Sequence, residues 1–281
     1  MVVTLVERNL SLGWLASLEH LLACGGTDVN VIVAIERIGE EDGDVRGLLD
    51  TFIAPRRGRT VLPVSSVANT IFPHALYQPG REGARERLYE LFLRGYPVAR
   101  RFPANYSGTY FHRLVAWPGP TGPVNQLERA IARLQRQMNR RNPLRNAYEL
   151  GLSNVGDDWD EIDDATAELR IQLPGRDGRL MGFPCLSHVS LTLLNGRLHA
   201  TTLYRNQHFI RKAYGNYLGL SRLLQFLCQE VGCQPGELVC ISSHADAEIG
   251  TGRGFGQGDL RSLAQACRRA VGAGGLGRVS A

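Results

Sequence analysis

No stretch of the 281-residue chain approaches the ~18 consecutive apolar residues that mark a membrane-spanning helix. No basic-then-apolar signal segment opens it either. The expectation is a cytoplasmic protein without a membrane partner. Six cysteines are present (Cys24, Cys185, Cys228, Cys233, Cys240 and Cys267), and none forms a CxxC pair. That excludes zinc-ribbon and thioredoxin-type readings. In a reducing compartment these are thiols, and most are expected to be small core residues. HExxH is missing, although His244-Ala-Asp-Ala-Glu248 has a superficial likeness to a zinc-site helix. Pro184-Cys185 is followed by Leu-Ser-His, so the PCxxC of a zinc deaminase is absent too, and no metal is expected. GxSxG is absent, which leaves a serine-hydrolase reading without an anchor. There is no internal repeat.

What the chain does contain is ordinary for a folded protein: 43% hydrophobic and 21% charged residues. Its net charge of +5 favours an anionic partner. A nucleotide phosphate satisfies that charge as well as nucleic acid does. The arginine pairs (Arg56-Arg57, Arg100-Arg101, Arg140-Arg141, Arg268-Arg269) are scattered, with no dominant stripe, so a nucleic-acid partner is not expected.

Periodicity predicts helices over 10–24, 81–95 (closed by Gly95), 123–141, 216–232 and 259–271. Strands are expected over 27–37, 48–54, 146–152 and 236–245, with a polar loop at 39–47 and an acidic loop at 156–165. Residues 67–77 are ambiguous. Asn195-Gly196 separates two alternating runs, a strong hairpin signal because both turn positions need positive φ. The glycines of GTGRGFGQGD (250–259) match GxGxxG only loosely and read first as a flexible loop, second as a phosphate contact. The fold class is α+β, a single domain over 1–275 built on a mixed sheet with packed helices, and 276–281 form a flexible tail.

Cys228, Cys233 and Cys240 sit in apolar contexts and read as core. Cys185 differs. It follows a proline, precedes a strand, has His188 nearby in sequence, and faces an arginine-bearing strand returning after the hairpin. A nucleophilic thiolate needs a lowered pKa, which a nearby arginine can supply. A lone cysteine is also a common packing residue, so residue type alone leaves both readings open.

The order of residues from 181 to 216 resembles the thymidylate synthase family. There, Pro-Cys carries the nucleophile, a strand, a Gly turn and a second strand follow, and a phosphate-binding Arg precedes an Asn at the start of a long helix. Here these read Pro184-Cys185, Gly196, Arg205 and Asn216, and Gly236-Glu237 keeps register beyond. NLSLGWLASLEHLLA (9–23), GTYFHRLVAWPGP (108–120), VNQLERAIARLQ (124–135) and SNVGD (153–157) are weaker echoes. The resemblance covers 100–250 best. It implies a thymidylate synthase-like fold, a pyrimidine 5′-nucleotide as substrate, Cys185 as the thiolate attacking C6, Arg205 on the 5′-phosphate and Asn216 on the base edge. It also implies a homodimer with arginines crossing between subunits, Arg145 being the candidate, and 5,10-methylenetetrahydrofolate as the one-carbon donor.

Departures from the family pattern matter as much. Leu186 stands where the family has a His after the cysteine, and His208 where it has an Asp. Asp246 and Glu248 occupy the positions of the His and Tyr that bind the sugar 3′-hydroxyl, with His244 available after a shift. Two carboxylates there suit a ribose diol, whose hydrogens they accept. The tryptophan-rich acidic folate segment has no counterpart, since Trp14, Trp117 and Trp159 lie elsewhere. The expected activity is transfer of a methyl or hydroxymethyl group to pyrimidine C5. The alternative is a nucleotide-binding protein that kept the fold and lost the folate chemistry.

Overall fold

A computed structural model describes residues 2–56, 61–105, 108–119, 121–138, 166–171, 184–250 and 254–276. The helices are α1 (Leu10–Ala23), α2 (Gly43–Ile53), α3 (Val64–Ile71), α4 (Ala84–Ala99), α5 (Tyr110–Val115), α6 (Gln126–Met138), α7 (Tyr214–Val231) and α8 (Gln257–Leu276). The strands are β1 (Val3–Glu7), β2 (Thr27–Ile35), β3 (Trp117–Gly119), β4 (Gly122–Val124), β5 (Thr166–Arg170), β6 (Leu186–Leu194), β7 (Arg197–Tyr204), β8 (Gln207–His208) and β9 (Gln234–Asp246). The expected α+β class is what the chain forms. The contacts group into two compact units: Met1–Asn69, Leu203–Ser221 and Glu237–Ala281 in the first, Thr70–Thr202 and Arg222–Gly236 in the second.

In the first unit β1 runs parallel to β2, β2 antiparallel to β9, and β8 parallel to β9, a mixed arrangement. Asn9 starts α1 by accepting the Leu12 N–H at 2.9 Å, and α1 buries Leu10, Trp14, Leu18, Leu21 and Leu22. Gly13 lets it lie close to β2: a Cβ there would stand 3.2 Å from both Val33 and Ile35. α8 packs on α1 and α2, and Arg268 pairs with Glu19.

Two sequence expectations are corrected here. Residues 48–54 are not a strand; they complete α2. Asp42 caps that helix by accepting from Asp44 N and Val45 N, and Val45, Leu49 and Ile53 recur every four residues as its buried stripe. The ambiguous 67–77 segment resolves into α3 followed by a single 3-10 turn, His74–Leu76.

The second unit holds α4, α5, α6 and the strands β5 and β6, which pair antiparallel. β6 continues into the hairpin, with Asn195 at φ 51° and Gly196 at φ 72°, as the Asn-Gly pair requires. Rings fill its core. Phe92 meets Phe111 edge-on at 4.7 Å, and Tyr77 meets Phe226 at 4.8 Å. Phe72 touches Phe226 at 5.1 Å. Such pairs add about 0.5–1.5 kcal/mol each beyond burial. Gly95 does not close α4, which runs on through Pro97 to Ala99. α6 begins at Gln126, because Pro123 belongs to β4. The expected strand 146–152 and acidic loop 156–165 lie outside the described residues.

Candidate active site

Cys185 stands immediately before β6, half-buried, while Cys228, Cys240 and Cys267 are buried. Behind it, in the same unit, is Tyr110, the first residue of α5. The Leu186 N–H donates to the Tyr110 hydroxyl at 3.4 Å. Burial pushes the Tyr110 phenol well above its ordinary pKa, and the charge of the neighbouring Cys185 pushes the same way. Tyr110 therefore stays protonated and keeps a donor beside the thiol. Thr109 holds this end of α5 by accepting the His112 N–H. Arg113, also buried, donates to the Ile171 carbonyl at 2.8 Å and ties α5 to the residue that follows β5. Nothing in the sequence pointed to Tyr110. It lies 76 residues from Leu186, inside a segment that carried only a general family likeness.

The other candidates sit in the first unit. Arg205 and Asn206 follow β7, and the two-residue β8 then sets His208 opposite Asp246 on β9. His208 Nδ1 lies 3.7 Å from Asp246 and 3.6 Å from Glu248. His244 Nδ1 is 2.9 Å from the Asn206 carboxamide oxygen. His208, Asp246 and Glu248 are thus one cluster, with His244 tied to Asn206 nearby on β9.

Asp246 and Glu248 have different environments. The Asp246 side chain is 27% exposed, and that of Glu248 is 1% exposed. Glu248 Oε2 accepts from Ile210 N at 3.1 Å and Arg211 N at 2.8 Å, and Oε1 accepts from Arg211 Nε. Glu248 itself sits at φ 61°, and its N–H donates to Asp246. It thereby caps the π-helical turn Phe209–Ala213 that leads into α7. Trp14 Nε1 donates to the Phe209 carbonyl at 2.8 Å from the other side.

That turn delivers Asn216 to the first turn of α7, where it is 4% exposed. A buried amide costs free energy unless something pairs with it. Gly215 makes room for this placement: a Cβ there would come within 2.5 Å of Val67 Cβ and 2.8 Å of the Val64 carbonyl.

Arg145 lies outside the described residues, as do Trp159 and the segment around it. Trp14 and Trp117 are 0% and 4% exposed. Both indoles are therefore packed in the interior. Among the described helices none is long and apolar enough to cross a membrane.

No family model matches the chain. It is similar to curated archaeal proteins named "Putative thymidylate synthase". It is 26% identical to the one from Methanosarcina barkeri over 141 residues, 50% of this chain and 52% of the relative. The relative from Methanosarcina mazei is 27% identical over 141 residues, with the same shares. The one from Methanosarcina acetivorans is 32% identical over 73 residues, 26% of this chain and 34% of the relative. The chain spans about half the length, or less, of the curated relatives it matches. These matches make it a distant, divergent relative of proteins bearing that name.

Proposed function

We propose that the protein transfers a one-carbon unit, methyl or hydroxymethyl, to C5 of a pyrimidine 5′-nucleotide through a covalent adduct at C6. The observation that carries the reading is Cys185: a half-buried thiol after proline, at the entrance to a strand, with a protonated tyrosine behind it. C5 of a pyrimidine is a weak nucleophile. Addition of the Cys185 thiolate to C6 moves the double-bond electrons toward C5 and O4, so C5 can attack an electrophilic carbon. The C5 proton would then leave to a base and the bond from the new carbon to its carrier would break; a hydride from the reduced folate would give the methyl product and water the hydroxymethyl product, and expulsion of the thiolate restores the C5–C6 double bond.

Other residues bind and orient. Arg205 is assigned to the 5′-phosphate, where a guanidinium gives a paired, directional contact. Asn216, buried in the first turn of α7, is assigned to the base edge, for which it offers one donor face and one acceptor. Asp246 is the exposed carboxylate assigned to the sugar hydroxyls. Glu248 is buried beside it, His208 is the most exposed of the three, and His244 is paired with Asn206. Arg145 is kept as a phosphate contact from a second subunit of a homodimer. The carbon donor assigned on family resemblance is 5,10-methylenetetrahydrofolate, which supplies the carbon at the oxidation level of formaldehyde. The alternative is a nucleotide-binding protein that kept the fold and lost the folate chemistry.

The test is tritium release from C5-labelled UMP, dUMP, CMP and dCMP, with and without methylenetetrahydrofolate. Release by the wild type, reduced at least 1000-fold in Cys185→Ser, is the expected result. The best of the four nucleotides names base and sugar, and product mass separates methyl from hydroxymethyl. No release from any of them by folded protein, with nucleotide still bound, would favour the binding protein.

A further inference from the structure

Apart from the residues discussed so far, the end of α1 and the start of β2 bring three different metal-ligating side chains together. His20 and Cys24 are four residues apart at the C-terminal end of α1, so they project from one face. Gly25 and Gly26, at φ 82° and 111°, turn the chain straight back. The turn is fixed in place, because a Cβ on Gly26 would stand 2.7 Å from Ile249 Cδ1. β2 therefore starts beside the helix it follows and presents Asp28 to His20.

The distances suit a metal. His20 Nε2 is 2.7 Å from Asp28 Oδ2 and 3.6 Å from Cys24 Sγ. All three donor atoms lie within 4.8 Å of one another. Tetrahedral zinc, with bonds of about 2.0–2.3 Å, needs donor-to-donor edges of roughly 3.2–3.6 Å. Cys24 Sγ lies 3.6 Å from Nε2 but also 4.0 Å from Nδ1, beside the ring, so this exposed side chain turns about its Cα–Cβ bond to reach an ion on the Nε2 lone pair. The nitrogen–oxygen edge opens by about half an ångström once a metal replaces the hydrogen bridging the two atoms. Asp28 Oδ1 accepts its neighbour's N–H, from Val29 at 2.8 Å, which steadies the carboxylate and leaves Oδ2 for the ion.

We infer that His20, Cys24 and Asp28 form a mononuclear site for a zinc-class divalent cation, with water as the fourth ligand. Imidazole and thiolate beside a single carboxylate suit zinc, whereas magnesium and calcium take sets made of oxygen. Thiolate and carboxylate together neutralise a divalent ion. Cys24 is exposed, and the His20 and Asp28 side chains are 22% and 21% exposed, so the fourth position opens to solvent. The thiol proton leaves on binding, so affinity falls as pH drops. The site is separate from the cluster on β9. Asp28 pairs with Ala245, and strand alternation turns the flanking His244 and Asp246 to the opposite face. Its role is a clip joining α1 to β2.

The test titrates the metal-free full chain with Co(II) as a spectroscopic probe, then displaces it with Zn(II). The expected result is one Co(II) per chain with a thiolate-to-cobalt charge-transfer band. The band is lost in Cys24→Ser, at least tenfold weaker binding is seen in Asp28→Asn, and Cys185→Ser and Cys233→Ser bind as the wild type does. Zn(II) raises the unfolding temperature of the wild type but not of Cys24→Ser, whose far-UV circular dichroism establishes that it is folded. Absence of the band at saturating Co(II), or its survival in folded Cys24→Ser, overturns the proposal.

Discussion

Glu248 is the residue on which the first unit's candidate cluster turns. It is buried, left-handed at φ 61°, and accepts from two consecutive backbone N–H groups and from Arg211. Replacing it by alanine strands those donors and leaves Arg211 unpaired, an expected loss of about 3–5 kcal/mol. Glu248→Gln keeps the shape but turns one acceptor into a donor, for an expected loss of about 1–3 kcal/mol. Asp246→Asn is expected to cost less, about 0.5–1.5 kcal/mol, because the side chain is only half-buried and an amide oxygen can still accept from Glu248 N. On the proposed function, Asp246→Asn instead raises KM for the nucleotide. Urea melts beside KM values check both halves. Equal destabilisation by Glu248→Gln and Asp246→Asn would sink the division of roles. In the sequence the two carboxylates looked alike, two residues apart in a polar run. What separates them is Arg211, 37 residues away in the chain, and the backbone twist at Glu248. Cys185 stands out in the sequence through Pro184 and His188, but the tyrosine beside it, Tyr110, is 76 residues from Leu186 in the chain.

At the scale of elements, the readings that held rest on local chemistry. The Asn195-Gly196 turn and the leucine-rich face of α1 are dictated by residues within a few positions of one another. α2 was misread as a strand because a short apolar run, LLDTFIA, has no period of its own. The deciding signal is Asp42, eleven residues before Ile53, whose carboxylate caps the helix. Gly95 reads as a stop, but buried Phe92 and Tyr96 hold α4 together through it and on through Pro97. The joint between α3 and α7 offers a test at this scale. Gly215 has ordinary negative φ, yet its absent side chain leaves space that Val67 and the Val64 carbonyl fill. Gly215→Ala places a methyl group 2.5 Å from Val67 Cβ, so one element must give way. The expected cost is about 1–3 kcal/mol of overpacking. On the proposed function, nucleotide affinity falls as well, because Asn216 follows directly. Val67→Ala, combined with Gly215→Ala, should recover part of both losses. A Gly215→Ala protein with unaltered denaturation midpoint would show that the joint is looser than the structure has it.

For the molecule as a whole, the basic balance of +5 and the two compact units leave pH as the plainest global variable. The second unit contains two histidines held below their ordinary pKa. Burial is the main cause for His112, with the positive charge of Arg100 and Arg113 adding to it; burial and then Arg222 act on His74. His112 lies flat on Tyr96, with ring centroids 3.8 Å apart and planes 12° from parallel. The folded state therefore prefers the neutral imidazole, whereas the unfolded chain takes up a proton near pH 6.5. Between those two pKa values the unfolded state binds more protons, so stability rises with pH there. The contribution is complete above about pH 6.5 and is lost as pH falls through the depressed folded value. His112→Phe keeps a flat ring against Tyr96 and removes the titration. Urea midpoints measured at pH 8 and pH 5 should fall more for the wild type than for His112→Phe, and Phe in place of His74 should flatten the remainder. Parallel pH profiles for wild type and His112→Phe would mean that the imidazole protonates in the folded protein as easily as in the unfolded chain. That would place the Tyr96–His112 stack in contact with water rather than inside the unit.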